Sequence, residues 1–279
     1  MTRARGFTLV EMIIVMVIMG IIAAVVSVFI TGPVSGYVDA NRRAQLSDSA
    51  DIALRRLSRD LRLALPNSVR VGGSNRLLEY IPTTGGGRYL TASADFLDFT
   101  TTDGSFDYRG DSITGATGFV VVFNTGQRSA TNCATAPGGA DAYEACNRTT
   151  IGSVTATKVT LSSAFKFPFT SPGNRFHVVP STGPVTLACE GVGTSGGDGT
   201  GTLKIYSNYN TGSGDWGNAA TISAPRGTGN LLGRHVSDCS FIYTPGVTAT
   251  NGLVTLRLAL TRSNETVTLH HQVHVDNAP

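Results

Sequence analysis

The sequence is short of charge. Asp, Glu, Lys and Arg make up 15% of its 279 residues, against roughly 25% in typical soluble domains. The formal net charge is +3, and Arg3 and Arg5 supply two of those charges, so the remainder is nearly neutral. A broad electrostatic surface for nucleic acid is thereby excluded. Cysteine is limited to Cys133, Cys146, Cys189 and Cys239, with no close C-x-x-C pair, which argues against a zinc knuckle or a thioredoxin-like redox motif. There is no G-x-S-x-G elbow, and no Ser-His-Asp or Cys-His arrangement follows from the spacing. "GTGNLLG" from Gly227 departs from G-x-G-x-x-G by one residue. "GGDGTGT" (Gly196–Thr202) lacks the further carboxylates and closing Glu of an EF-hand loop. His270 and His274 share one face of a strand at roughly 13 Å, too far apart for one metal ion. These absences predict a chain that is not an enzyme and carries no cofactor or metal.

What is present begins at the N-terminus. No charged residue occurs from Met12 to Val38, and twelve of the nineteen residues Met12–Ile30 are Ile, Val or Phe. Insertion of such a segment gains roughly 4–7 kcal/mol, more than the about 3 kcal/mol that one carboxylate such as Glu11 costs. A membrane span follows, and Arg3 and Arg5 hold the short N-terminus in the cytoplasm. The run is longer than the usual signal-peptide core, and no small-x-small cleavage site precedes a polar stretch. With export indicated, the even cysteine count reads as two disulfides in an oxidising compartment. Chain order favours Cys133–Cys146 and Cys189–Cys239, although three connectivities are compatible with the spacing.

A plain anchor leaves Glu11 unexplained, because intramembrane carboxylates usually have partners. "GFTLVE", followed by the apolar run, resembles the prepilin signature of type IV pilins and type II secretion pseudopilins. The resemblance implies cleavage between Gly6 and Phe7 by a prepilin peptidase that also N-methylates Phe7. It further implies pairing of Glu11 with the Phe7 ammonium of a neighbouring subunit. Two charges that are each costly in lipid become tolerable when paired. "IALRRLSRDLRLALPNSVRV" and the terminal "HHQVHVDNAP" are similar to the large minor pilins of the mannose-sensitive haemagglutinin (MSHA) pilus. That likeness implies a minor pilin in filament initiation at the tip, partnered by other pilins and by an inner-membrane assembly platform. It implies a periplasmic C-terminal domain before assembly and a place in the surface pilus afterwards. The alternatives are a type II secretion minor pseudopilin and a tip adhesin.

Beyond the apolar run, Gly32 and Pro33 predict a kink. Leu46, Ala50, Ala53, Leu57, Leu61 and Ala64 then form one helical stripe. Arg55, Arg59 and Arg62 share another face, and Asp51 supports Arg55 at i,i+4. Pro66 ends the helix at Leu65. From Ser68 the pattern is one of short strands: Leu77–Ile81, Phe96–Thr100, Phe119–Asn124, Lys158–Phe165, Arg175–Val179, Val185–Cys189, Leu203–Tyr209 and Cys239–Thr244. A terminal hairpin shows period two in Val254, Leu256, Leu258 and Leu260, and again in Val267, Leu269, His271, Val273 and Val275. The fold class is α+β: a long N-terminal helix, half transmembrane and half amphipathic, packed on a mainly antiparallel β-rich domain. The expected parts are a leader (1–6), a transmembrane helix (7–31), an amphipathic helix (32–66) and a β domain (67–279). Gly191–Gly201 is the candidate divider of two β lobes. Tyr206, Tyr209 and Trp216 surround a Gly-rich turn and are the candidate ligand contacts, since exposed aromatic faces stack on sugars; the plainer alternative is that they pack a hairpin.

Overall fold

The structure is a computed structural model that describes residues 7–128, 139–209, 216, 222–246 and 251–279. Helix α1 runs unbroken from Leu9 to Arg62, 54 residues and about 80 Å at 1.5 Å per residue. The helix is not broken at Gly32–Pro33, and Pro33 lies inside it. A single proline deletes one hydrogen bond, at about 3 kcal/mol, in a helix with long continuous runs on both sides. One turn on, Ser35 Oγ also donates to the Gly32 carbonyl at 2.9 Å.

The helix ends three residues before Leu65. Leu63 caps it, with its N–H turned to the carbonyls of Asp60 and Leu61. Ala64 then bridges Pro82, and Leu65 N donates to Ile81 O at 2.7 Å. Pro66 explains why the helix cannot continue. The claim of the sheet on Ala64 and Leu65 explains why it stops sooner.

Fifteen strands follow among the described residues. They are β1 (Arg70–Gly72), β2 (Leu77–Tyr80), β3 (Gly85–Tyr89), β4 (Asp103–Arg109), β5 (Phe119–Val122), β6 (Arg148–Val154), β7 (Lys158–Phe165) and β8 (Arg175–Val179). After these come β9 (Val185–Glu190), β10 (Thr194–Ser195), β11 (Asp198–Gly199), β12 (Gly201–Ser207), β13 (Thr228–Thr244), β14 (Gly252–Arg262) and β15 (Glu265–Val275). The main sheet has the order β1-β2-β9-β12-β13-β14-β15, and β3-β4-β7-β6-β5-β8 close a barrel. All the pairings are antiparallel. The barrel is therefore inserted in the chain between two neighbouring strands of the main sheet, β2 and β9. Gly191–Gly201 does not divide the lobes: it joins β9 to β12 within one sheet and folds into the small β10–β11 hairpin. Phe96–Thr100 is not a strand either. Asp98 accepts bonds from Thr100 N (2.7 Å), Thr100 Oγ1 and Thr101 Oγ1, an Asx turn that draws the backbone out of any ladder.

The second half of α1 packs on β13, β14 and β15. Leu46, Ala50, Ala53, Leu57 and Leu61 are buried there with Leu54, and Ala64 joins the same core just beyond the helix end. They meet Val254, Leu256, Leu258 and Leu260 from β14, and Val273 and Val275 from β15. His270, Gln272 and His274 face solvent while His271 turns toward the helix. Period-two alternation requires this arrangement once one face is buried. The β14–β15 turn is Ser263–Asn264, both at positive φ (49° and 65°), as a two-residue hairpin turn demands. The barrel has its own core around Phe106, Phe167 and Phe176. A third cluster, including Leu65, Ile81, Val121, Val179 and Trp216, seals the junction between barrel and main sheet.

Candidate assembly site

The head of α1 carries the first group of predicted site residues. Gly6 lies outside the described residues. Phe7 is 84% exposed and directly precedes Thr8, the N-cap of the helix. Glu11 Oε2 accepts from Thr8 N and Thr8 Oγ1, each at 3.0 Å, and Glu11 N donates to Thr8 Oγ1 at 3.3 Å. This is a capping box, which satisfies two helix-terminal N–H groups reciprocally. A carboxylate in the first turn also faces the positive end of the helix dipole. The T-x-x-E spacing was present in the sequence, but there Glu11 was assigned only to intersubunit pairing. The carboxylate has a local role as well. Both contacts to Thr8 use Oε2, and among the described residues Oε1 accepts no bond.

Behind this head, the large apolar side chains from Phe7 to Val38 are all 44% exposed or more. The first buried helix residue is Leu46. The helix is long and apolar enough to cross a membrane. The apolar stretch Met12–Ile30 alone would extend about 28 Å, close to the thickness of a bilayer core. So large a continuous apolar surface calls for lipid or other apolar helices around it.

The second group, Tyr206, Tyr209 and Trp216, does not form an exposed platform. Tyr209 and Trp216 are 5% and 2% exposed. Tyr209 donates to Glu79. Trp216 stacks edge-on against Phe119, with centroids 5.2 Å apart. The Arg148 guanidinium lies 3.7 Å from its ring centroid, and the guanidinium also donates to the Ala142 carbonyl at 2.7 Å. Tyr206 is half-buried, its hydroxyl held by Glu190, which also pairs with Lys204 at 2.7 Å. Tyr209 and Trp216 are buried and present no stacking face, and Tyr206 packs on Leu77, Ala188 and Ile222, as the packing alternative expects.

Cys189 and Cys239 are bonded, with Cα atoms 6.3 Å apart, inside the usual disulfide range. The bond links β9 to β13 within the core under α1. For the other expected pair, Cys146 is buried and Cys133 lies outside the described residues.

One group was not legible in the sequence. Glu79 on β2 is 1% exposed, and its Oε1 pairs with the Arg70 guanidinium, with an Nε–Oε1 distance of 2.6 Å. Its Oε2 accepts from Thr186 Oγ1 at 2.9 Å and from Tyr209. Arg70 in turn lies 3.6 Å from the centroid of the Tyr143 ring, and the Tyr143 hydroxyl donates to Ser68 O at 2.9 Å. Desolvation holds both tyrosine hydroxyls, Tyr143 and Tyr209, well above their ordinary range, so they act as donors. The carboxylate is thus fully partnered, as a buried charge must be. Its partners come from three separate segments, which is why no local pattern announced them.

Residues 1–27 match the family described as the prokaryotic N-terminal methylation motif. The match covers the leader, the capping box and most of the apolar run. No curated protein and no solved structure matches the chain.

Proposed function

We propose that this chain is a minor pilin of a type IV pilus of the MSHA type, processed before Phe7 and N-methylated there. It acts in filament initiation at the tip, without catalysis of its own. The observation that carries the reading is the uncovered apolar half of α1, headed by Phe7, Thr8 and Glu11 within the methylation motif. In the membrane that surface lies in lipid. On assembly it leaves lipid and packs on the apolar helices of neighbouring pilins, where the Glu11 carboxylate meets a Phe7 ammonium. The partners are other pilins, the prepilin peptidase that cuts and methylates, and an inner-membrane assembly platform. The β lobes lie on the periplasmic side before assembly and on the pilus afterwards.

Mass spectrometry of the mature protein tests this reading. A chain beginning at N-methyl-Phe7 supports it, and an intact leader or a cut within the apolar run overturns it. Deletion of the gene tests the role at the tip: filaments should become few while retaining their major subunit. Normal piliation would remove the initiation role.

A further inference from the structure

Three arginines stand side by side across the barrel wall. Arg88 on β3 is directly opposite Arg109 on β4 and directly opposite Arg175 on β8. Residues in direct register share a face of the sheet. Their chain neighbours Tyr89, Tyr108 and Phe176 are buried inward, so the arginines point out. At 4.7–4.9 Å per strand the row spans roughly 10 Å. Like charges placed directly opposite one another destabilise a sheet. Among the described residues none of the three has an ion-pair partner, although acidic residues elsewhere on the barrel do, such as Asp95 with Lys158 at 2.6 Å.

The row borders a hollow of about 500 Å³ whose lining includes Gly85, Gly86, Gly87 and Gly110 and no carboxylate. The glycines are required by the backbone. A Cβ on Gly86 would lie 2.6 Å from Phe176 O, one on Gly87 would lie 2.9 Å from Arg109 O, and Gly110 has φ +148°. Of the β3 glycines, Gly86 shares the face of Arg88 and leaves it bare of a side chain there. His177 also lines the hollow, and its Nε2 is buried without a hydrogen-bond partner.

We infer that this hollow binds an acidic sugar, a glycan unit bearing carboxylate or sulfate groups, through Arg88, Arg109 and Arg175. A guanidinium fork matches such oxyanions two bonds at a time. The volume lies in the range of small-ligand sites and suits a ring-sized unit. A nucleic acid fits less well. Of the two aromatic rings in the lining, Phe176 is buried in the barrel core and His177 has its Nε2 buried, so bases find no open stacking platform. Three cations are also fewer than the roughly six to ten phosphate contacts of a duplex binder. The ligand relieves the like-charge row, which explains why the sheet tolerates it.

The test uses the full chain in non-ionic detergent, with a heparin tetrasaccharide as probe. Maltotetraose and a single-stranded oligonucleotide serve as comparisons, and each variant is followed by thermal melting. The tetrasaccharide should bind and maltotetraose should not. Arg88→Gln and Arg109→Gln should each weaken binding roughly tenfold, the loss of a charged hydrogen-bond pair, whereas Arg59→Gln on α1 should leave it unchanged. Both barrel variants should melt no lower than wild type, because each removes a like-charge opposition. Failure to bind the tetrasaccharide, or equal loss in Arg59→Gln, overturns the inference. So does a clear fall in melting temperature in both barrel variants, which would assign the arginines to structure. Tighter binding of the oligonucleotide than of the tetrasaccharide would replace the sugar with a nucleic acid.

Discussion

The hydroxyl of Thr8 both donates to the Glu11 carboxylate and accepts from the Glu11 backbone N–H. The acid in the apolar helix therefore has an observed role and a proposed one that can be separated. The observed one is to close the first turn of α1, which needs an acceptor oxygen but no charge. The proposed one is to meet an ammonium in the assembled filament, which needs the charge.

Glu11→Gln divides these functions. An amide still completes a capping box, so the variant should insert into the membrane and accumulate as wild type does. Without the charge, the neighbour's ammonium is left buried and unpaired, a loss of about 3 kcal/mol or more. Immunoblots of sheared pili against whole cells should show roughly hundredfold less incorporation. Normal incorporation would leave capping as the whole role of Glu11. Thr8→Ala should behave in the opposite way, weakening the helix start by about 1 kcal/mol while still entering filaments.

Trp216 was a candidate ligand contact in the sequence, with packing as the plainer alternative, and it is a junction residue. Trp216→Ala removes its packing on Phe119 and Arg148 and should lower stability by about 3–5 kcal/mol. Denaturant unfolding of the detergent-solubilised protein measures this. An unchanged midpoint, with a loss of attachment to a surface, would restore the adhesive reading.

Glu79 offers a sharper case, because removing one member of a buried pair strands the other. Glu79→Ala leaves Arg70 without its carboxylate and Tyr209 and Thr186 without their shared acceptor. The expected loss is about 3–5 kcal/mol. Arg70→Met with Glu79→Leu should recover much of it. If the double variant is no better than the single, the charge on Arg70 is not what the carboxylate compensates.

The elements that were legible are those whose signal is local. The stripe Leu46–Ala64 and the hairpin from Gly252 to Val275 both repeat at a fixed period, and a two-residue turn pins the hairpin register. The barrel was not legible, because its closure rests on pairs such as Gly85 with Val178, distant in the chain. "GGGRY" reads as a loop by composition, yet it is a strand because neighbouring strands approach too closely for a Cβ. β13 also begins earlier than expected: "TGNLLG", weighed only against a dinucleotide-binding pattern, is a strand paired with β12. At the site, Phe7 and Glu11 were found from the N-terminal pattern. The capping box was overlooked because the acid was weighed only as a charge in lipid. The Arg70–Glu79 pair and the arginine row depend on register and could not be read before the sheets were known.

His177, on β8 of the barrel, gives the fold a pH dependence. Burial first, and then the nearby Arg175, hold its imidazole down to about 4, against a small opposing pull from Asp276. The unfolded chain protonates this histidine near 6.5. Between pH 6.5 and 4 the unfolded state therefore binds the extra proton, and native stability falls as pH falls through that window. The contribution is complete above pH 6.5 and amounts to at most about 3 kcal/mol. Several carboxylates titrate below this range, so the informative quantity is a difference between proteins. His177→Gln lacks the group, and the stability of wild type relative to this variant should shrink between pH 7 and pH 4.5 in denaturant titrations. A constant difference across that interval would mean that His177 is protonated as readily in the folded protein as in the unfolded chain.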